Sequence, residues 1–241
     1  MEIRGASALV TGAGRGIGRA ISLALGAAGA RITAVSRTAS ELDTLVREIE
    51  RAGGHAVAHA ADITRSGACE AAVARAVEAH GGLRILVNNA GVGGFAPVAD
   101  TSDETWAGIF ATNVTAPFRF TRASLPHLAR QGGEIFMISS LAGVNPTANL
   151  AAYSASKAAL DHFSRCLMLE VRHQGIKVTT IAPGSVDTSF GGGPTDRSGR
   201  ETSWMLTADD VAGAVLDLLR TREEAHLSRL EMRPLRPPRR A

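Results

Sequence analysis

Tyrosine and lysine are the residues this chain nearly does without. Its 241 residues include one tyrosine, Tyr153, and two lysines, Lys157 and Lys177. Cysteine is also sparse: Cys69 and Cys166 are too few for a disulfide framework and read as reduced thiols, as expected of a cytoplasmic protein. No apolar run approaches the roughly 18 residues of a membrane helix. Met1 leads straight toward the strand-like Ser7-Ala8-Leu9-Val10 without a signal-peptide pattern. Pro/Ser-rich linkers are missing too, so residues 1–241 are expected to form a single domain.

Basic charge is scarce once its location is considered. The formal net charge is +3, but residues 229–241 carry five arginines and one glutamate, which leaves −1 for the rest. A nucleic-acid-binding domain would need a basic face on its folded part. We therefore expect neither a nucleic-acid nor a membrane partner, and read the end of the chain as a last strand followed by a solvated basic tail. Metal-ligand patterns are absent as well. No H-E-x-x-H occurs, and His55 and His59 fall on a short strand and its edge, so no metal site is expected.

What is present is alternation. Strand-like runs at 8–11, 31–36, 56–60, 84–88, 134–139, 177–181 and 228–232 are separated by helical patterns at 17–28, 41–51, 67–80 and 209–219. Ile85-Leu86-Val87 and Ile135-Phe136-Met137-Ile138 are apolar throughout, as parallel strands buried on both faces require. The pattern predicts an α/β fold, a doubly wound parallel sheet of about seven strands with helices on both faces. Two helices look unusually long, from about 103 to 129 and from 151 to 173. In the second, Leu160, Phe163, Cys166, Leu167 and Val171 form an apolar stripe. Thr207 is a candidate N-cap, with Asp209 and Asp210 in the first turn.

Chemistry concentrates at three places. On a helix, Lys157 falls one turn beyond Tyr153 and on the same face. A cation about 4 Å from a phenol, at an effective dielectric near 20, favours phenolate by roughly 4 kcal/mol, or nearly three pKa units before desolvation opposes it. That would make Tyr153 a general acid/base. A buried tyrosine beside a snorkelling lysine is the alternative. The second place is the turn Thr11-Gly12-Ala13-Gly14-Arg15-Gly16-Ile17-Gly18, between the first strand and the first helix. Glycines there let backbone approach a pyrophosphate at a helix N-terminus. The third is the end of the second strand. A carboxylate there usually binds the ribose 2′-hydroxyl of NAD. Here Ser36 and Arg37 occupy the place, and no carboxylate follows until Glu41. Arg37, with Arg15 as a second cation, predicts NADP; NAD is the alternative cofactor.

Taken in order, Thr11-Gly-x-x-x-Gly-x-Gly, Asn88-Asn89-Ala90-Gly91 and Tyr153-x-x-x-Lys157 make the chain resemble the short-chain dehydrogenase/reductase family over essentially its whole length. The resemblance implies an NADP(H)-dependent oxidoreductase interconverting a carbonyl and a secondary alcohol, with a small-molecule substrate. It implies a catalytic set of Asn113, Ser140, Tyr153 and Lys157. Ser139, one residue away, is the alternative to Ser140. Cofactor contacts are implied for Gly12, Arg15, Gly16, Ile17, Gly18, Ser36, Arg37, Asp62, Ile63, Asn89, Ala90, Gly91, Tyr153, Lys157, Pro183, Gly184, Val186 and Thr188. Lys157 would also hold the nicotinamide ribose, and Asn113 would fix a water linking Lys157 to solvent.

A non-catalytic dinucleotide sensor would be expected to lack one of the four catalytic residues. A serine nucleophile would be expected in a G-x-S-x-G elbow, which Ile138-Ser139-Ser140-Leu141-Ala142-Gly143 is not. The look is closest to 3-oxoacyl-(acyl-carrier-protein) reductases, although Arg229-Leu230-Glu231-Met232-Arg233-Pro234 lacks their glycine-rich ending. Residues 185–206, with Gly191-Gly192-Gly193, Arg197, Arg200 and Trp204, read as a flap over a pocket built with Phe95, Leu141, Val144 and Leu150. By resemblance, the long helices would pair subunits into a dimer or tetramer.

Overall fold

Strands buried along their whole length need cover on both faces, and the chain supplies it. The structure is a computed structural model and describes residues 1–190 and 201–237. Strands β1 (Ser7–Thr11), β2 (Arg31–Ser36), β3 (His55–Ala60), β4 (Ile85–Asn88), β5 (Gly133–Ile138), β6 (Ile176–Pro183) and β7 (Arg229–Met232) pair in the order β3-β2-β1-β4-β5-β6-β7, all parallel. Helices α1 (Gly16–Ala27), α2 (Ala39–Arg51), α3 (Ala68–His80), α4 (Asp103–Phe110), α5 (Ala116–Leu128), α6 (Ala151–Val171) and α7 (Ala208–Leu219) cover the two faces.

Period-two alternation divides the core. Ala8 and Val10 of β1 face a cluster with Ile21, Leu25, Leu45 and Val215 from α1, α2 and α7. Leu9 faces the other side, among Val73, Phe120, Leu160 and Leu167 from α3, α5 and α6. Burying such a side chain contributes about 1.5–3 kcal/mol each. The direction of winding reverses between β1 and β4, and this opens a crevice at the carboxyl ends of the strands. Every chemical motif named above lies there.

The expected strands are all found, with bounds that differ by at most two residues, and Thr207 caps α7 in a capping box with Asp210. Three expectations change. The helix expected from 103 to 129 is α4, a π-helical turn at Ala111–Thr115 and α5, with Asn113 buried in that turn. The helix expected to reach 173 ends at Val171, with a short 3-10 turn at Arg172–Gln174 and Gly175 at φ 71°. Cys166, counted in the packed stripe, is exposed. Ser164 takes the sheet-facing place, and its hydroxyl accepts from Thr180 Oγ1 at 2.8 Å.

Of the expected flap, residues 191–200 lie outside those described, including the glycine triplet, Arg197 and Arg200. Its two stems are joined: Val186 bridges Leu206, Asp187 N–H donates to Leu206 O at 2.8 Å, and Leu206 N–H donates to Ser185 O at 3.0 Å. Residues 238–241 of the basic tail also lie outside. Among the described residues, no helix is long and apolar enough to cross a membrane.

Candidate active site

The loops after β1 and β4 are tied together by two side chains. Thr11 Oγ1 accepts the N–H groups of Asn89 and Ala90, both at 3.0 Å, and donates to Val87 O at 3.2 Å. Asn89 Nδ2 donates to the carbonyls of Thr11 at 2.9 Å and Gly12 at 3.3 Å. This close approach explains two glycines. Gly12 has φ +65°, and a Cβ there would lie 2.9 Å from Ala90 Cα; a Cβ on Gly18 would collide with Gly12 O.

Helix α1 then begins at Gly16 with Arg15 in extended conformation at its N-cap. Among the described residues no side chain caps it, and no acidic residue stands in its first turn. Its free N–H groups and positive end are thus left for an anion. Gly16 lies beneath Thr188, whose Cγ2 is 3.4 Å from where a Cβ would be. These loops fit the pyrophosphate of a dinucleotide: bare backbone donors, no side-chain bulk and no competing acid on the helix end.

At the end of β2, Ser36, Arg37 and Asp62 come together with a residue the sequence reading set aside. A Cβ on Gly14 would meet both the Glu41 carboxylate and, at 3.0 Å, Ser36 Oγ. Glu41 therefore turns back from the first turn of α2 to the end of β2. Its distance in sequence from Ser36 hid it; a helix start places it beside that residue. Arg15 and Arg37 are exposed, and neither is ion-paired to a described residue within 4 Å. Asp62 Oδ1 accepts from Thr64 N at 3.0 Å and Thr64 Oγ1 at 2.7 Å. Those bonds hold its carboxyl below the usual range, with Arg65 and Arg37 adding smaller pulls. Ile63 is buried behind it.

Past the glycine turn, the crevice closes on α6. Tyr153 and Lys157 lie one turn apart, with Lys157 Nζ 5.8 Å from the centre of the Tyr153 ring and donating to Ile138 O at 2.8 Å. Ser140, at the head of the short 3-10 turn Leu141–Gly143, offers Tyr153 a hydrogen bond, and its Oγ accepts from Ala142 N at 3.1 Å. Ser139 is buried, with its hydroxyl unpartnered among the described residues.

Asn113 is fully buried. Its Oδ1 accepts from Val92 N at 2.9 Å, while Nδ2 donates to Val92 O at 2.9 Å and Ser156 Oγ at 3.0 Å. The π-turn thus pins the Gly91 loop to α6; a Cβ on Gly91 would lie 3.4 Å from Asn113 Oδ1 and 3.6 Å from Lys157 Nζ. Gly184 packs against Leu141 and Pro234 after Pro183 ends β6. Phe190, which the sequence reading did not single out, stacks obliquely on Tyr153 with ring centres 5.7 Å apart.

The protonation picture departs from expectation. Burial pushes the Tyr153 phenol up, and the Ser140 hydrogen bond opposes this only in part. Burial pushes Lys157 down to about 8, against the pull of Asp161. The expected fall in the phenol's pKa is not what this geometry gives. Lys157 is desolvated with its neighbour and its ammonium is turned to a backbone carbonyl, so desolvation of the phenol outweighs attraction.

A doubly wound sheet with a glycine turn at its switch point and a Ser-Tyr-Lys cluster beside it defines a dinucleotide-binding oxidoreductase architecture. Comparison with known proteins names the family. A short chain dehydrogenase profile matches residues 6–196. The chain is 34% identical over 209 residues to 2,3-dihydro-2,3-dihydroxybenzoate dehydrogenase of Bacillus subtilis, covering 86% of this chain and 76% of that one. It is 40% identical over 193 residues to versicolorin reductase of Emericella nidulans, covering 78% and 72%. A metagenomic short-chain oxidoreductase solved in complex with NADP superposes with a TM-score of 0.85 at 35% identity, covering 98% of this chain and 100% of the other. The chain belongs to the short-chain dehydrogenase/reductase family of oxidoreductases.

Proposed function

We propose that the protein is an NADP(H)-dependent oxidoreductase that interconverts a carbonyl and a secondary alcohol, with Tyr153 as its proton donor and acceptor. The observation that carries this reading is the meeting of Tyr153, Ser140 and Lys157 beside the bare N-terminus of α1 and the glycine turn. When bound, the nicotinamide supplies a hydride to the carbonyl carbon, or takes one from the alcohol. Everything else falls to the chain.

Ser140 donates to the substrate oxygen and holds its growing negative charge. Tyr153 delivers the proton to that oxygen. Its raised pKa keeps it protonated near neutrality, as reduction needs. The Lys157 ammonium then favours the tyrosinate left behind. Both Asn113 Nδ2 protons are committed to Val92 and Ser156, so a water serving Lys157 would have to donate to an Asn113 oxygen.

Arg37 and Arg15 support NADP, since both are free to meet a 2′-phosphate. Glu41 is the counterweight: its carboxylate lies beside Ser36 and would repel that phosphate or accept a 2′-hydroxyl. Phe95 and Phe190 are exposed around Tyr153 and the Gly93 loop, and favour an apolar, ring-bearing substrate. The bacterial relative named above, a dehydrogenase of a dihydroxylated ring acid, agrees in the ring, although its ring is polar and charged. A panel of cyclic and aryl ketones with NADPH and NADH tests the reading. Turnover with NADPH supports it, and a preference for NADH overturns the cofactor assignment.

A further inference from the structure

Behind Lys157 lies an acid–cation pair that the chemistry above does not use. Tyr153, Lys157 and Asp161 succeed one another at four-residue steps on one face of α6. Asp161 is 7% exposed, and its Oδ2 accepts from Arg229 Nη1 at 2.9 Å. Arg229 is the first residue of β7, where it pairs in register with Thr180 of β6. The other carboxylate oxygen, Oδ1, is buried with no hydrogen-bond partner among the described residues. The 3-10 turn leaving Ser140 rests on this spot: a Cβ on Gly143 would lie 3.2 Å from Asp161 Oδ2 and 3.1 Å from the Lys157 carbonyl carbon.

A half-satisfied buried carboxylate is a poor stability device, since an apolar residue in its place is often neutral or better. Its position suits a different use. The negative charge lies one turn from a buried ammonium and favours that ammonium's charged form. Among the described residues, the other ionisable groups around Lys157 do not supply this. Tyr153 carries its proton. Glu134 of β5 and Lys177 of β6 face each other at the opposite end of the strands. Asp103 and Glu104 of α4 are exposed, and the π-turn and the 3-10 turn bear no charge. Glu231 of β7 is turned to Arg229 and Arg233.

We propose that Asp161, held in place by Arg229, is a positioning residue that keeps Lys157 cationic, so that β7 takes part in the active site through α6. The proposal rests on the reading of Lys157 as partner to the Tyr153 phenol, but its test does not. With only two lysines in the chain, protein labelled at the lysine ε-position gives two titrating NMR signals, and Lys177→Arg assigns them. In the parent protein Lys157 is expected to titrate near pH 8.

Asp161→Asn should lower that midpoint by about half a pH unit or more, while Glu231→Gln leaves it unchanged. Asp161→Asn leaves Arg229 paired with Glu231 alone, at a cost to the fold, so Asp161→Asn with Arg229→Gln is the second variant; it removes both charges of the pair and should move Lys157 the same way. A purely structural role would lower the melting temperature and leave the midpoint where it was. An unmoved midpoint in either folded variant overturns the proposal. The signals are read without substrate or cofactor, so the proposal can fail while Tyr153-dependent turnover stands, or hold where no turnover is found.

Discussion

Burial acts in opposite directions on the two residues that matter most, raising the Tyr153 phenol and lowering the Lys157 ammonium. The i, i+4 spacing that brings them to one helix face was legible in the sequence, but the sign of the phenol's shift was not. Spacing fixes which groups are neighbours, whereas desolvation depends on the packing of distant segments. Lys157 is charged below its pKa and neutral above it. Support for the tyrosinate is therefore present below about pH 8 and lost as pH rises through that value. We expect kcat/KM for ketone reduction to be level below pH 8 and to fall above it; a rise across that range would contradict the account. Ser140→Ala should reduce turnover about 10²–10³-fold, as loss of an oxyanion donor does, and Ser139→Ala far less. The reverse order, measured by steady-state kinetics, would move the catalytic register by one residue. Glu41 was set aside as too far along the chain because its place beside Ser36 arises from a helix start folding back on β2. Glu41→Gln should raise the ratio of NADPH to NADH efficiency, and a fall in that ratio would show that Glu41 does not oppose the 2′-phosphate.

At the scale of elements, the strands were readable because their apolar runs have nowhere to go but a covered sheet. Irregular joints were not. The π-turn at Asn113 interrupts a run that reads as one continuous helix; the demand of Val92 and Ser156 for the same amide reveals it. Cys166 was misplaced because an apolar residue near a stripe is easily counted into it, while Ser164, polar by type, is satisfied by Thr180. The glycine turn makes a sharper claim. A methyl group on Gly18 meets the Gly12 carbonyl, so α1 must shift outward. Gly18→Ala is expected to cost about 1–3 kcal/mol by overpacking and to abolish NADPH binding, read by thermal unfolding and nucleotide fluorescence. An unchanged melting temperature with intact binding would show that the loop is less constrained than its contacts imply.

The single doubly wound domain was legible from alternation alone, because βαβ units leave few ways to connect parallel strands. How many copies assemble is a separate matter. Trp106, Phe118 and Leu169 are exposed on α4, α5 and α6, and Phe118 meets Phe163 edge-on beneath Arg122. An apolar surface of this kind on adjoining helices is expected to be covered by a second copy in an isologous contact. Light scattering at low micromolar concentration should give a dimer or tetramer, and Leu169→Glu with Phe118→Glu should yield smaller particles. A fully active monomer of 25.0 kDa would rule the assembly out.

The central claim, that Tyr153 is the proton donor of an NADPH-dependent carbonyl reductase, is tested most directly by Tyr153→Phe. The measurement is NADPH consumption with a ketone that the parent protein reduces, alongside nucleotide affinity. The account predicts turnover lowered about 10²–10⁴-fold, the worth of general acid catalysis, with NADPH affinity nearly unchanged because only a hydroxyl is lost. Turnover retained above about a hundredth of the parent's would contradict it.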